Sequence, residues 1–313
     1  MLSRRSLPAL LALALAACSD PGVVRSTMSG MALRYDARRA ASDDPGGRRE
    51  YGPSVAVGNG VVRTYLVLDR KDRNVPLEVG LAISEGAMDG LPAPNPSHHD
   101  MGADGHEHVD SHVYDLEMPA KNPTPYRFVE FDWNPQGHVP SGVYNFPHFD
   151  FHFYTVPAAV RNSIDPQTMS KEQFAAKSGS LPPKEEWSPF VQALAAPGQP
   201  IMAVPRMGTH WVDLRTPELQ GLLGNAQGFR QFTTTFLRGS WDGRFIFDEP
   251  MITRAFIVGR KAATTEAQRD SVIALPTPQR RSPAGYYPAA YRILYDAKAK
   301  EYRIGLTQLG WRN

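Results

Sequence analysis

Apolar and polar side chains alternate along several short stretches of this chain, which is the spacing of a half-buried β-strand. The alternation is strictest at 148–155, HFDFHFYT, where phenylalanines occupy every second position and histidines and an aspartate lie between them. Two consecutive pairs of strand-like stretches are spaced as hairpins, which favours antiparallel sheet. Stretches rich in β-branched and aromatic residues predict further strands at 61–69, 76–83, 126–133, 209–214, 231–239, 243–249, 289–297 and 300–309.

Helix signals are few and fall between the predicted strands. They predict short helices at 158–164, 170–178 and 217–223, and one that ends at Gly90. Glycine and proline number 26 and 28 among 313 residues, which favours short strands and ordered loops over a helical bundle. We therefore predict a β-rich α+β fold at 53–313, a single domain of mainly antiparallel sheet, sandwich or barrel-like, with a few connecting helices.

The first eighteen residues resemble a secretion signal that ends at a cysteine. Arg4 and Arg5 precede the apolar run 7–17, whose helical length of ~17 Å is short of the ~30 Å hydrocarbon core of a membrane. The run ends in Leu-Ala-Ala before Cys18, which resembles the bacterial lipobox, and Cys18 is the one cysteine of the chain. We therefore expect cleavage after the signal peptide 1–17, lipidation of Cys18 and attachment to a membrane through that lipid.

Residues 18–52 are polar and charged without an apolar period, and we predict a flexible tether there. By the sorting rule of enterobacterial lipoproteins, Ser19 after the cysteine points to the outer membrane, while Asp20 leaves the inner membrane open. We expect a cell-envelope protein on the periplasmic face of the outer membrane. The sequence leaves homo-oligomerisation open.

Charge and motifs exclude several classes of function. The net charge is +2, too small for the electrostatic footprint of a nucleic-acid-binding protein. The chain has no phosphate-binding Gly-rich loop followed by Lys-Ser/Thr, no dinucleotide fingerprint, no Gly-x-Ser-x-Gly elbow and no His-Glu-x-x-His. We therefore expect neither a nucleic-acid nor a nucleotide partner, and neither serine hydrolysis nor zincin chemistry.

Candidate chemistry lies on the polar face of the 148–155 strand. His148, Asp150 and His152 share the face opposite the three phenylalanines, and polar groups there must be solvated or mutually satisfied. On a regular strand the Cα atoms of His148 and His152 are ~13 Å apart, so only a bulge or a bend would let both reach one ion. Otherwise one histidine binds together with Asp150.

Partners for this strand occur at three other places in the sequence. His210 begins a predicted strand, Glu249 ends one immediately before Pro250, and His138 lies in a Gly/Pro loop. With Cys18 acylated, the donors are imidazoles and carboxylates, which suit a divalent metal; we expect Zn²⁺ ahead of Cu, Fe or Mn. The predicted metal ligands are His148, His152, His210 and Glu249, with Asp150 and His138 in the surrounding hydrogen-bonded shell and with Asp150 and Glu249 as candidate catalytic bases.

A second concentration of histidines occupies the segment 97–112. It contains five of the nine histidines of the chain together with glycine and proline. Such a loop scavenges divalent metal, or it is a solvated polar loop whose affinity for metal is incidental, and the spacing does not decide between them. The histidines concerned are His98, His99, His106, His108 and His112.

Four strings, PHFDFHFY, VPRMGTHWVDL, WDGRFIFDEPMIT and GYYP, resemble a bacterial envelope domain of unknown function. The family is typified by a Thermus protein under an extracytoplasmic sigma factor and is found on secreted proteins and lipoproteins. The resemblance covers most of 55–313, implies the domain boundaries and an envelope location, and supplies no activity. The loop 98–112 is an insertion relative to it. The matching positions are His148, Asp150, His152, Met207, His210, Trp211, Glu249, Pro250 and Met251.

Three functions remain open at this point. The first is an envelope lipoprotein with a His/carboxylate metal site whose ion is structural or sensed. The second is a metal-dependent enzyme, a hydrolase or an oxygen-using enzyme, at the same site. The third is an interaction or assembly lipoprotein whose histidines only satisfy one another.

Overall fold

The computed structural model of the chain describes residues 47–94, 111–194 and 203–313. The predicted signal peptide, Cys18, most of the tether and the histidines of 97–110 lie outside these residues. Each strand predicted from the sequence is present, with ends displaced by at most four residues. The strands are β1 (Gly47–Val57), β2 (Gly60–Asp69), β3 (Pro76–Ser84), β4 (His112–Glu117), β5 (Phe128–Asn134), β6 (His148–Tyr154), β7 (Val191–Ala193), β8 (Ala203–Val204), β9 (Gly208–Asp213), β10 (Thr234–Trp241), β11 (Arg244–Thr253), β12 (Asp270–Ala274), β13 (Gly285–Tyr287), β14 (Ala290–Asp296), β15 (Glu301–Thr307) and β16 (Gly310–Arg312).

The helices are short and lie in the connections. Ser170 caps the helix Lys171–Gly179 through a reciprocal hydrogen-bond pair with Gln173. The Thr253 hydroxyl accepts from the backbone N–H of Phe256 and caps the helix Arg254–Ala262. No helix among the described residues has the length and apolarity needed to cross a membrane. The α-helices are α1 (Ala158–Asn162), α2 (Lys171–Gly179), α3 (Arg254–Ala262) and α4 (Glu266–Arg269), and single 3₁₀ turns occur at Glu85–Met88, Lys184–Glu186 and Pro217–Leu219.

The strands form two large antiparallel sheets. The first has six strands in the order β1-β2-β3-β15-β14-β12, and the second has eight along β4-β5-β6-β11-β10-β9-β7, with β8 paired to β9. Strands β13 and β16 form a separate pair. Both predicted hairpins are present, because β2 pairs with β3 and β14 pairs with β15.

The two sheets pack face to face over one apolar core. Alternate residues of the central strands face this core, including Leu66 and Leu81 from the first sheet and Phe131, Phe149 and Phe151 from the second, all fully buried. The strand alternation seen in the sequence therefore places the phenylalanines of β6 in the core. The predicted β-rich single domain of mainly antiparallel sheet is confirmed, and its form is sandwich-like.

Some predicted boundaries and helices differ from the structure. Strand β1 begins at Gly47, inside the segment expected to be a tether, and pairs along its length with β2. His112, expected in the His-rich loop, lies in strand β4, where its Nε2 is 2.7 Å from the carbonyl oxygen of Ala93. The helix predicted at 217–223 is a single 3₁₀ turn, because the pattern there covers too few residues for a stable helix. Helix α3 was not predicted.

The outer face of the eight-stranded sheet is covered by the connections rather than by water. Two apolar clusters lie on it, one at each end of the strands. Ile164 and Phe174 pack over Tyr154 at one end, and Tyr144 and Phe232 pack at the other end. Polar side chains on this face between the clusters are consequently buried.

Candidate metal centre

Three neighbouring strands bring acidic and imidazole side chains into rows across the outer face of the large sheet. Strand β6 lies between β5 and β11. Glu130 of β5 is directly opposite His152 of β6, and Asp132 is opposite Asp150. In the register that pairs Met251 with Asp150, Glu249 of β11 lies on the other side of His152. His152 is thus flanked by a carboxylate on each neighbouring strand.

His152, His210 and Glu249 form one candidate group. Their ligand atoms all lie within 4.8 Å of one another. His152 Nε2 is 3.4 Å from Glu249 Oε1, and His210 Nε2 is 3.9 Å from Glu249 Oε2. The side chains of His152 and Glu249 are buried, whereas that of His210 is 16% exposed. Solvent therefore reaches this group from the side of His210.

The other nitrogen of His152 faces a second pair of carboxylates. Nδ1 lies 3.4 Å from Asp132 Oδ2 and 3.9 Å from Glu130 Oε1. Glu130 is hydrogen-bonded to the guanidinium of Arg161, which comes from α1 and also forms a bidentate pair with Asp115 at 2.6 and 2.8 Å. Neither carboxylate oxygen of Asp132 accepts a hydrogen bond from any described residue. A buried carboxylate without donors is costly unless a cation or a proton compensates it.

His138, His148 and Asp150 form a separate candidate group. His148 Nε2 is 3.1 Å from Asp150 Oδ1, and His138 Nε2 is 3.3 Å from Asp150 Oδ2. The side-chain amide of Asn134 donates to Asp150 Oδ2 at 2.8 Å. His138 reaches the group from the loop before β6, and the two imidazole rings are edge to face with centroids 4.6 Å apart.

Burial and like charges set the protonation of the carboxylates in the absence of a metal. Burial raises the pKa of Glu130 to about 7, although Arg161 opposes the shift. Burial, and then the negative charges of neighbouring carboxylates, raise the pKa values of Asp132 and Glu249 well above their ordinary range. Burial opposes the charged forms of Asp150 and His138, yet the imidazoles lower the pKa of Asp150 well below its ordinary range and the hydrogen bond to Asp150 raises the pKa of His138.

The structure divides the predicted ligand set into two groups. His152, His210 and Glu249 come together, whereas His148 lies in the group of Asp150 and His138. Strand β6 pairs with β5 without a bulge from His148 to His152. The rise per residue of a regular strand therefore keeps the two histidines too far apart to share one ion. The single site with four ligands is therefore not formed.

Sequence reasoning did not single out Glu130, Asp132, Asn134 and Arg161 as members of the site. The stretch 128–134, FVEFDWN, has the same alternation as β6, with Phe131 in the core and the polar residues on the opposite face. This alternation is the signal that was available for the acidic residues. Nothing local distinguishes Arg161 from other arginines of the chain.

A glycine shapes the wall of the site. Gly239 of β10 pairs with His210 on one side and with Phe247 on the other. A Cβ atom at this glycine would lie 2.0 Å from Cε1 of Phe247. The ring of Phe247 in turn packs edge to face against His152, with centroids 4.8 Å apart, and lies 5.6 Å from the ring of His210. Because Gly239 has no side chain, the ring of Phe247 can occupy this space and pack against the imidazoles of His152 and His210.

We expect Gly239→Ala to destabilise the protein by about 1–3 kcal/mol, because the added methyl group displaces a buried ring. The matched control is Gly259→Ala in α3, where a Cβ atom meets nothing within 4 Å. That substitution should be neutral or stabilising by up to ~1 kcal/mol, since alanine is the better helix former. Urea unfolding of the two variants measures the difference, and equal stabilities would contradict the role given to Gly239.

A family model matches one part of the chain. Residues 72–133 match the TTHB210-like family, described as hypothetical protein TTHB210. The matched segment includes Glu130 and Asp132 and ends before β6, so the motifs at 145–154 and beyond lie outside it. The match supports an uncharacterised domain of the Thermus type over this segment and carries no activity. Neither the curated proteins nor the solved structures contain a match to the chain.

Proposed function

We propose that this protein is an envelope lipoprotein that binds a divalent metal ion through His152, His210 and Glu249. The observation that carries the proposal is the convergence of these three side chains from β6, β9 and β11, with ligand atoms within 4.8 Å. Three strands of one sheet hold them, so the arrangement does not depend on a mobile loop. Imidazole and carboxylate donors together suit Zn²⁺ and, after it, Cu, Fe or Mn.

The distances support a tetrahedral ion. Ligand atoms at 2.0–2.2 Å from Zn²⁺ in a tetrahedron are about 3.3–3.5 Å from one another. His152 Nε2 and Glu249 Oε1 are 3.4 Å apart, and His210 Nε2 lies 3.9 Å from the other oxygen of Glu249, Oε2. Burial and then the like charges of Asp150 and Glu130 raise the pKa of Glu249, and an ion among these atoms offsets both effects.

The second nitrogen of His152 supports the same assignment. A metal-binding histidine usually donates its other ring N–H to a carboxylate or a carbonyl, which fixes its tautomer and orientation. With Nε2 on the ion, Nδ1–H of His152 faces Asp132, 3.4 Å away. The carboxylate oxygens of Asp132 accept no hydrogen bond from the described residues, and Nδ1–H of His152 would then supply a donor to them.

The test is metal analysis of the purified protein after dialysis against Zn²⁺ and removal of weakly bound ions. Asparagine replaces His98, His99, His106 and His108 in every sample, so that the loop cannot contribute ions. We expect His210→Gln to lose one stoichiometric ion and the control His112→Gln to lose none, because His112 lies in β4 outside both groups. Equal zinc content in the two variants would refute the proposal.

A metal-dependent enzyme, either a hydrolase or an oxygen-using enzyme, is the second candidate. It is favoured because the group offers three protein ligands and because the side chain of His210 is 16% exposed. Three ligands leave a fourth position for water or substrate, as in catalytic zinc sites. In the Co²⁺-substituted protein, azide should change the visible spectrum if this position is open. An unchanged spectrum favours a closed, structural ion.

The envelope location rests on the N-terminal segment. The lipobox-like end of the signal and the single cysteine support acylation of Cys18, and two or three acyl chains anchor a protein stably. We expect Cys18→Ser to move the protein from the membrane fraction to the soluble fraction and to abolish labelling by palmitate. A variant that still sediments fully with membranes would contradict the anchor.

A further inference from the structure

The second histidine group, His138, His148 and Asp150, has a hydrogen-bond pattern that two neutral imidazoles cannot satisfy. His138 Nδ1 lies 2.7 Å from the carbonyl oxygen of Val139, and His148 Nδ1 lies 2.6 Å from the carbonyl oxygen of Phe146. A carbonyl oxygen only accepts, so both rings carry a proton on Nδ1.

The remaining nitrogen of each ring therefore presents a lone pair when the ring is neutral. Both Nε2 atoms face the carboxylate of Asp150, at 3.1 Å from His148 and 3.3 Å from His138. A lone pair directed at a carboxylate oxygen is repulsive. His148 Nε2 and Asp150 Oδ1 are also buried, and apart from each other they meet no hydrogen-bond partner among the described residues.

Two arrangements remove this repulsion. In one, both rings are protonated, which places two imidazolium ions with ring centroids 4.6 Å apart in a buried site around one carboxylate. In the other, a cation lies between the two Nε2 atoms and Asp150. The second arrangement keeps both rings neutral and uses their lone pairs.

The geometry points to a second divalent-metal site, formed by His138 Nε2, His148 Nε2 and Asp150 and independent of the site at His152. His148 Nε2 is 3.1 Å from Asp150 Oδ1 and His138 Nε2 is 3.3 Å from Asp150 Oδ2, so each imidazole faces its own oxygen of one carboxylate. Ligand atoms of the three residues all lie within 4.8 Å of one another, which leaves room for one ion. Both Nδ1–H groups donate to backbone carbonyls, which is the outer hydrogen bond that metal-binding histidines usually make.

Asn134 prepares the carboxylate for this site. Its side-chain amide donates to Asp150 Oδ2 at 2.8 Å, and its own oxygen accepts from the hydroxyl of Ser111. The carboxylate is thereby oriented without using a charged partner. The side chain of His138 is 15% exposed and that of His148 is fully buried, so an ion enters from the side of the 135–147 loop.

The experiment counts zinc ions per chain in the background that lacks the four loop histidines. We expect two ions in that chain, one in His138→Gln, one in His210→Gln and none when both are replaced. If His138→Gln keeps as many ions as its parent, the second site does not exist and the group holds protons only. If only His138→Gln loses an ion, this site stands and the proposal for His210 fails, so the two results are separable.

A second measurement decides the question if His138→Gln does not fold. Anomalous X-ray data from zinc-soaked crystals of the unsubstituted chain should show a peak about 2.0–2.1 Å from Nε2 of both His138 and His148. The absence of a peak there, with zinc present at His152, would overturn the second site. Asn134→Leu should lower the affinity of this site for Zn²⁺ by roughly 10–100-fold, because the substitution removes the hydrogen bond that orients the carboxylate of Asp150.

Discussion

Zinc bound at His152, His210 and Glu249 should raise the melting temperature of the protein. The double variant His152→Ala/His210→Ala should lose this part of the zinc-induced rise. An ion that binds only the folded state at 100 times its Kd stabilises that state by about 2.7 kcal/mol. For a domain of 150–250 residues this corresponds to roughly 5–10 °C. Removal of two of the three ligands leaves Glu249 alone, so we expect this part of the shift to vanish.

The measurement is differential scanning calorimetry of each protein with EDTA and with Zn²⁺. The shift, rather than the melting temperature itself, is the readout, because loss of two imidazoles beside Phe247 also removes packing. His112→Ala is the matched control and should keep the full shift. A double variant with an undiminished shift would show that zinc stabilises the protein from elsewhere.

Asp248→Asn should produce the largest loss of stability that does not involve a metal. Asp248 is fully buried and accepts two hydrogen bonds from Arg281, both at 3.0 Å, and one from the Tyr126 hydroxyl at 2.6 Å. Arg238 lies 3.2 Å away, and burial lowers the pKa of Arg238 to about 10. Loss of the carboxylate leaves two buried guanidinium groups without their anion. We expect a cost of about 3–5 kcal/mol.

Asp242→Asn is the matched control for this substitution. Asp242 pairs with Lys177 at the surface, with side chains 48% and 37% exposed. Asparagine also tolerates the positive φ of 51° at this position. Exposed pairs contribute at most about 1 kcal/mol. Urea unfolding compares the free energies of unfolding of the two variants. A difference below about 1 kcal/mol would show that the charge of Asp248 is not essential to its contacts with Arg281 and Arg238.

The strands were predictable because their pattern is local. A period of two places Phe149, Phe151 and Phe153 on one face and His148 with His152 on the other, whatever the neighbouring strands are. The helix predicted at 217–223 was wrong in length, since tertiary packing rather than propensity stabilises such short helices. Strand β1 escaped prediction because its outward-facing residues are polar and its partner β2 supplies the hydrogen bonds.

The candidate site was predictable only as a list of residue types. Glu130 and Asp132 lie in an alternating stretch that the sequence marked as a strand, yet their position beside His152 depends on the pairing of β5 with β6. Arg161 neutralises Glu130 from a helix that follows β6. Its role depends on how that helix packs over the sheet, which no local pattern records.

The sequence by itself determined the period of the strands, the aromatic face of β6 and the supply of imidazole and carboxylate donors on the opposite face. These properties follow from side-chain chemistry and from backbone geometry over a few residues. Only the tertiary structure decided that His152 meets Glu249 and His210 while His148 meets His138. Register between strands distant in sequence fixes which side chains face each other, and the length of β6 between His148 and His152 keeps the two groups apart.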